Sequence, residues 1–560
     1  MTQQLRLPVP LPCRALAALP LLWLAMGQAW SQTPPDAGQL LQQQRVAPQP
    51  PATPPSLGLT PPAQAPLLPG GASVQLKGLR FAGNTVFSEA QLKALLDLPG
   101  LQRGQRLDMA GLQALAERIS EHYRSQGYLF ARAYLPAQRL DDGVLDIVVL
   151  EGRYGQVSAR CDAALAGPAQ GFLSALRPGE LIHSAPLERA TLLLSDQPGI
   201  AIRPVMRPGQ STGAGDLLVE VSATPKWRGE LGLDNHGSRY TGASRASASV
   251  MADSPFGFGD QLTLKAMLSE DEQWLGHASY SLPLGSAGWR GQIGHARTSY
   301  QLGKQFSSLQ ASGTADISSA TLSYAWLRSR QSNLSLALSP QHKRLKDDQG
   351  ATQTRSRKTS QVLPISLQFD HRDALGGGGI SYGSLALSLG RLKLDDALRA
   401  GDAASARSQG SFRKLNLDLA RQQAMALPGL SVYGRLSAQW ASKNLDSSED
   451  FGLGGASGVR AYPSGEGFGD AGTLVQLEMR YSLGAFSPYV FADHGRVKSN
   501  QRPWTAGATH RELSGAGLGL RHQQGPWSLD VAAAWSGKGG EPLSDSRKSP
   551  RLWLQGSWRF

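Results

Sequence analysis

The chain is 560 residues long, with 64 glycines, a charged fraction of 18% and a formal net charge of +13. That length exceeds one ordinary domain, and so much glycine with so little charge argues against a typical soluble enzyme and for many short strands joined by turns. The 56 lysines and arginines form no basic block, so the clustered footprint of a nucleic-acid surface is missing, although the surplus itself points to an acidic partner.

Arg6 and Arg14 precede an apolar run, Ala15 to Met26, and Gly27-Gln28-Ala29 supplies a small-x-small cleavage pattern. Residues 1–29 are therefore expected to be a secretory signal peptide, whose apolar run is too short to span a bilayer as a helix. No other stretch approaches 18 consecutive apolar residues, which excludes a membrane protein built on helices. Residues 30–70 are expected to hold a short helix, from Ala37 to Arg45, and a proline-rich tract from Pro48 to Pro69 that acts as an extended tether. Of the two cysteines, Cys13 falls in the signal, so Cys161 has no disulfide partner and is expected to be a small buried residue.

Two units of similar grammar follow, over 71–153 and 154–225. In the first, VQLKGLRF (Val74 to Phe81) predicts a strand, and Ser88 with Gln91 forms a capping box for a helix reaching Leu96. A second helix places Leu112, Leu115, Ala116, Ile119 and Tyr123 on one face and ends at Gly127. LFARAYLP (Leu129 to Pro136) and GVLDIVVLEG (Gly143 to Gly152) predict two closing strands. The second unit repeats this order, from GQVSAR through the helix LERATLLLSDQPG to IAIRPVMRPG and DLLVEVSATP. Small modules with open sheet edges suit the binding of an extended peptide by strand addition.

From Lys226 to Phe560 the pattern becomes short segments of period two. SVYGRLSAQW (Ser431 to Trp440) sets Val432, Leu436, Ala438 and Trp440 on one face and Tyr433, Arg435, Ser437 and Gln439 on the other. That alternation is what a lipid-embedded barrel with a wet lumen needs. Sixteen candidate strands can be counted, joined alternately by short turns and by long stretches such as Gln301 to Gly313, Lys346 to Arg357 and Asp395 to Gln409. Short turns on one side and long loops on the other predict an outer-membrane β-barrel of 16 antiparallel strands whose two ends lie in the periplasm. The last strand, RLWLQGSWRF, ends on Trp558 and Phe560, residues of the kind that barrels present to the assembly machinery as a C-terminal signal. The longest loop, FGLGGASGVRAYPSGEGFGDAG (residues 451–472), has eight glycines and a lone Arg460. A guanidinium held inside a barrel requires a carboxylate, and Asp493 and Glu478 are both on inward-facing positions.

FAGNTVF, GYLFARAYLPAQ, LLLSDQPG, RPGQSTGAGDLLVEV and LDNHGSRYTG give the chain its likeness. It resembles the two-partner secretion transporters, which join two periplasmic α+β POTRA domains to an outer-membrane barrel. The resemblance implies the outer membrane of a Gram-negative bacterium, POTRA domains in the periplasm, and a pore that secretes an unfolded exoprotein, a large β-helical haemolysin or adhesin, without ATP. It implies outer-membrane lipids and the barrel-assembly machinery as further partners and nucleic acid as none. An assembly or insertion factor, and a passive porin, are the alternative readings.

On this resemblance, Gly458, Val459, Arg460 and Tyr462 match the loop motif that folds back into the pore, with Ala461 where glycine is usual. Phe491, Asp493 and Gly495 match the inward-facing pattern whose aspartate pairs with the loop arginine. The N-terminal helix is then a candidate plug. No HExxH, GK(S/T) phosphate loop, CxxC or GxSxG is present, so no catalytic residue, cofactor or metal is expected.

Overall fold

A closed antiparallel barrel of sixteen strands fills the C-terminal part of the computed structural model, which describes residues 34–44, 48–54, 73–96, 106–140, 142–504 and 506–560. The expected signal peptide and much of the tether lie outside these residues. In chain order the strands are β1 Trp227–Asp234, β2 Arg245–Asp253, β3 Gln261–Ser269, β4 Trp274–Pro283, β5 Trp289–Gln301 and β6 Ala311–Arg328. Next come β7, in two pieces, Ser332–Leu338 and Gln341–Gln349, then β8 Thr354–Asp373, β9 Gly379–Leu394, β10 Gly410–Ala424 and β11 Leu430–Ala441. The last five are β12 Ala471–Tyr481, β13 Phe486–Lys498, β14 His510–Gln524, β15 Trp527–Ser536 and β16 Arg551–Arg559.

The period-two sequences sort as lipid requires. Leu231, Leu233, Leu518, Leu552 and Leu554 are exposed on the outer wall, while Ser437, Gln439, Gln476 and Glu478 are buried inside. Exposed tryptophans gather at both ends of the strands, Trp227, Trp289, Trp326 and Trp527 at one and Trp274, Trp440 and Trp535 at the other, as interfacial girdles. Both pieces of β7 pair with β6 and β8. The break falls at Pro340, which has no N–H for the ladder. The Ala320 N–H to the Pro340 carbonyl and the Ser339 N–H to the Pro364 carbonyl carry pairing across it.

One expected loop is strand instead. Residues 346–357 continue the β7–β8 ladder to Gln349↔Thr354, so the turn is only Gly350–Gln353. The inward Leu345 is fully buried and Asp347 accepts from Tyr300 Oη at 2.6 Å, so lumenal contacts hold the hairpin together beyond the wall. The stretch 395–409, expected as a loop, contains a helix, Asp396–Ala404.

The first module keeps the predicted order with two differences. The expected strand 74–81 is two pieces. Val74–Gln75 pairs with Arg106–Leu107, while Gly78–Ala82 runs parallel to Val144–Leu150, because Leu76 between them turns into the core. Only Arg132–Tyr134 of LFARAYLP is strand. Beyond it Gln138 replaces backbone, its amide exchanging two 2.8 Å hydrogen bonds with Asp146. The capping box forms, with Ser88 N–H to Gln91 Oε1 at 2.8 Å and Gln91 N–H to Ser88 Oγ at 3.3 Å. The helix Met109–Ser125 buries Leu112, Leu115, Ala116, Ile119 and Tyr123.

The second module has the sheet order Arg153–Arg160, Ala214–Ala223, Ile200–Pro208, with helices Ala163–Leu173 and Ser184–Ser195. Cys161 is half-buried and free, and burial pushes its thiol up. The module is latched to the short turns of the barrel. Arg328 grips Asp196 with two 2.7 Å bonds, Arg189 donates to the carbonyls of Trp326 and Ala287, and Arg290 donates to Gln197 Oε1 at 3.1 Å.

Where the modules meet, the buried Glu151 accepts from the N–H groups of Thr85 (2.5 Å) and Val86 (2.7 Å), from Tyr123 Oη (3.0 Å) and from the Thr85 hydroxyl. Burial alone would raise this carboxyl, but the hydrogen bonds from Thr85, Val86 and Tyr123 prevail and hold it below its ordinary value. A folded pKa below the unfolded one stabilises fully above about pH 4.3 and is lost as pH falls through the folded value. Glu151→Gln should therefore cost the first module about 1–3 kcal/mol at neutral pH. The loss should appear as faster amide exchange in Met109–Ser125 at pH 7 and should shrink on acidification.

Candidate functional site in the barrel lumen

The long loop between β11 and β12 turns into the barrel instead of standing above it. Its tip, Gly458–Tyr462, is built to pass close to its own chain. The Val459 N–H donates to the Leu453 carbonyl at 2.7 Å, and a Cβ on Gly458 would overlap that carbonyl. The Gly458 carbonyl accepts from Gln476 Nε2 of β12 at 2.9 Å. Val459 and Tyr462 are fully buried. Tyr462 Oη lies within hydrogen-bond reach of the Lys538 and Gly540 carbonyls, 3.0 and 3.2 Å away.

Arg460 is 5% exposed, and every face of its guanidinium is used. Nε and Nη2 donate to the two oxygens of Asp493 on β13 at 2.8 and 2.7 Å, and the Arg460 backbone N–H adds a third bond to that carboxylate at 3.0 Å. Nη1 donates to Glu478 on β12 at 2.5 Å. The plane stacks on Phe491, 3.5 Å from the ring centroid. Arginine alone offers this planar fork with an aromatic face beneath it. Glu478 and Asp493 both face Arg460 across adjacent strands, so the acid choice that the residues left open is resolved by the use of both.

The charges close into a balanced set. Glu478 also accepts from Arg480 at 2.7 Å and Arg521 at 3.2 Å, and Arg521 reaches Asp530 at 2.9 Å. Three arginines thus meet three carboxylates, the condition under which buried charge is tolerable.

The strand residues explain their own types. A Cβ on Gly495 would meet Leu453 Cδ2 at 2.7 Å, so glycine in β13 leaves room for the loop. Ala461 adopts no positive φ, and its methyl sits where a side chain on Gly515 of β14 would be. The departure from glycine thus carries no left-handed backbone strain, and Gly515 makes the space for it.

Sequence reasoning missed several anchors. Trp553 of β16 donates from Nε1 to the Arg460 carbonyl at 2.7 Å, and Ser464 donates to the His236 carbonyl, just past β1, at 2.7 Å. The alternation that placed Leu552 and Leu554 outward already implied an inward Trp553. Glu466, 1% exposed, accepts from Arg511 at 2.8 Å and from the N–H groups of Leu543 and Ser544 at 2.8 and 2.9 Å.

The helix Ala37–Gln43 stands in the same lumen, above the loop tip. Asp36 caps it through the Gln39 N–H at 3.0 Å, and its other oxygen accepts from Lys358 at 2.8 Å and Ser447 Oγ at 2.7 Å. Lys358 also reaches Asp446 at 2.9 Å. Gly38 packs so closely on Ser447 and Ser448 that a Cβ would overlap them, and Leu40 is buried among Tyr240, Tyr300 and Leu345. Past the helix, the Pro51 and Ala52 carbonyls accept from Arg372, at the periplasmic end of β8.

Trp558 and Phe560 sit where the barrel closes. Phe560 and Gly229 exchange backbone bonds at 2.9 and 3.0 Å, and the absent Gly229 side chain leaves room for the Phe560 ring. β16 and β1 pair through five residues, against eight for β1 and β2. Asn235 lengthens this seam with its side chain, donating to the Leu552 carbonyl at 3.0 Å and accepting from the Leu554 N–H at 2.9 Å.

Arg460→Ala would leave the buried Asp493 without its cation and should cost the barrel about 3–5 kcal/mol, seen as a lower temperature for loss of the folded band on semi-native gels. Gly515→Ala should lower it too by displacing the loop tip, and Ala461→Gly in that background should restore it. Failure of the second change to rescue the first would show that the two positions are not coupled.

The family profile described as haemolysin secretion/activation protein ShlB/FhaC/HecB matches residues 213–522, and that of the ShlB-type POTRA domain matches 74–152. The heme/hemopexin transporter protein HuxB of Haemophilus influenzae is 28% identical over 80% of this chain and 81% of its own length. The hemolysin transporter protein ShlB of Serratia marcescens is 26% identical over 84% of each. Among solved structures, CdiB from Escherichia coli superposes with a TM-score of 0.68 at 20% identity, covering 94% of this chain and 96% of that one.

Proposed function

Because the chain belongs to the haemolysin secretion/activation family, an outer-membrane group of transporters, we propose that it exports one partner protein through a lumen that is stoppered from the periplasmic side. The observation that carries this reading is the N-terminal helix. It lies inside the barrel and its chain leads back toward the periplasmic strand ends. The mature chain would start after a signal at 1–29.

The relatives are named for haemolysin and heme/hemopexin transport. The cargo here is read as an exoprotein of the same kind, a large β-helical haemolysin or adhesin, delivered unfolded. The modules over residues 73–223 would capture it by strand addition at exposed backbone edges. With no ATP outside the cytoplasm, its folding on the far side would supply the drive. The chain is read as a non-catalytic transporter without cofactors. Outer-membrane lipids surround the wall, and the assembly machinery would read Trp558 and Phe560 during biogenesis.

Two occupants share the pore and are held differently. The loop is fixed by the buried Arg460 set. The helix is held by the Lys358 and Ser447 bonds to Asp36, the Ala37 N–H to Asp347 at 2.9 Å, the Gln42 amide to the Ser448 carbonyl, and the packing of Ala37 and Leu40. When the helix leaves, Lys358 still has Asp446, so no charge is stranded. The tether rises at ~3.1 Å per residue when extended and follows it into the periplasm.

Asp36→Ala should favour the open pore, raising single-channel conductance in planar bilayers several-fold while export continues. Deleting residues 71–225 should abolish export of the exoprotein but leave a folded, conducting barrel. Export that survives the deletion would sink the capture step, and unchanged conductance of the Asp36→Ala protein would sink the plug.

A further inference from the structure

The surplus of positive charge is not used by the Arg460 network, where arginines and carboxylates balance. Much of it stands on the outside of the wall, at the extracellular ends of β7 to β10. Arg344, Lys346, Arg357, Arg391, Lys393 and Arg413 are all exposed there. Their strand neighbours Lys343, Leu392, Phe412 and Lys414 are buried toward the lumen, so the six point away from it. None of the six has an ion-pair partner among the described residues. The acids beside them are engaged: Asp316, the cross-strand neighbour of Arg344, by Arg297 at 3.6 Å, Asp348 by Arg355 at 3.5 Å, and Asp395 by the N–H groups of Arg357 and Leu398 at 2.6 and 3.0 Å.

The register lines these cations up. Arg344, Thr359 and Lys393 are direct neighbours across β7, β8 and β9. Below them His342, Gln361 and Arg391 form the next row. Arg344 and Lys393 are separated by two strand spacings, roughly 10 Å, the scale of a phosphorylated disaccharide. Immediately beneath lies a groove of about 1490 Å³ lined by Pro340, Leu363, Leu387 and Leu389 and roofed by Arg391 and Arg413. The groove opens beside the break at Pro340, where the ladder is interrupted without a change of register. Its floor continues into the lipid-facing leucines of β9.

Unpaired arginines and lysines above an apolar groove match a molecule with phosphates at one end and acyl chains at the other. We propose that this face binds a phosphorylated glycolipid of the outer leaflet, its phosphates on Arg344, Arg391 and Lys393 and an acyl chain along Pro340 and Leu389. The assignment rests on the outer-membrane placement of the barrel and is independent of the export reading. An acidic segment of cargo leaving the pore meets the lumenal face, whereas these side chains point outward from the wall.

The test uses the full chain in detergent, with bis-phosphorylated lipid A as probe and retention read by native mass spectrometry. The wild type should hold lipid A in preference to dephosphorylated lipid A and to phosphatidylglycerol. The triple variant Arg344→Gln, Arg391→Gln, Lys393→Gln should bind it roughly a hundredfold more weakly, since each cation near an anionic headgroup contributes about 1 kcal/mol. Its heat-modified gel shift, which reports an intact barrel, should be unchanged. Equal retention of the dephosphorylated lipid or of phosphatidylglycerol by the wild type would overturn the proposal without reference to any variant. So would unchanged binding by the triple variant, or displacement of lipid A by an acidic polypeptide at equal charge.

Discussion

A single buried guanidinium sets the terms for the rest of the lumen. Arg460 arrives on a glycine-rich loop, and a cation there is tolerable only where carboxylates wait for it on a rigid wall. β12 and β13 supply Glu478 and Asp493 on inward positions of neighbouring strands. The need then propagates. Glu478 has a second oxygen to satisfy and takes Arg480 and Arg521, and Arg521 takes Asp530 on β15. The loop cannot withdraw without opening this whole set, so it behaves as part of the wall.

The helix is held by a different kind of chemistry. Its contacts are a cap, one ion pair from Asp36 to Lys358, a few hydrogen bonds and one well-buried leucine, in a region where Lys343, Lys358 and Lys414 keep acidic partners of their own on the loop. Net hydrogen bonds contribute about 1 kcal/mol each, so a handful of them forms a barrier that binding of cargo at the modules is able to offset. On the reading proposed above, a buried set of three arginines and three carboxylates marks the part that stays, and a single ion pair with a few hydrogen bonds marks the part that moves.

Much of this was legible in the residues, and the exceptions have physical causes. Period-two alternation predicts the sixteen strands because lipid on one side and water on the other leave little freedom. It also places Glu478, Asp493 and Trp553 inward. It does not rank Asp493 against Glu478, since neighbouring inward positions look alike until the loop is in place. The ends of β7 and β8 resemble loops in sequence because above the membrane the outward positions turn polar. Gly515 was invisible, because its role depends on where Ala461 comes to rest. The split at Leu76 follows from core packing of the first module, which strand propensity does not register.

The same loop bears on how the barrel closes. The β16–β1 pairing is short, and the side chain of Asn235 does part of the work that backbone does elsewhere. From inside, the loop spans the seam. Its Arg460 carbonyl is held by Trp553 on β16 and its Ser464 hydroxyl by the His236 carbonyl beyond β1. A chain that worked by parting these strands would first have to release both contacts and, through Arg460, the charge set on β12 to β15. A chain that works by clearing its lumen only has to release the helix, whose bonds involve neither strand of the seam. The distribution of strong and weak contacts therefore favours passage through the barrel over passage through its wall.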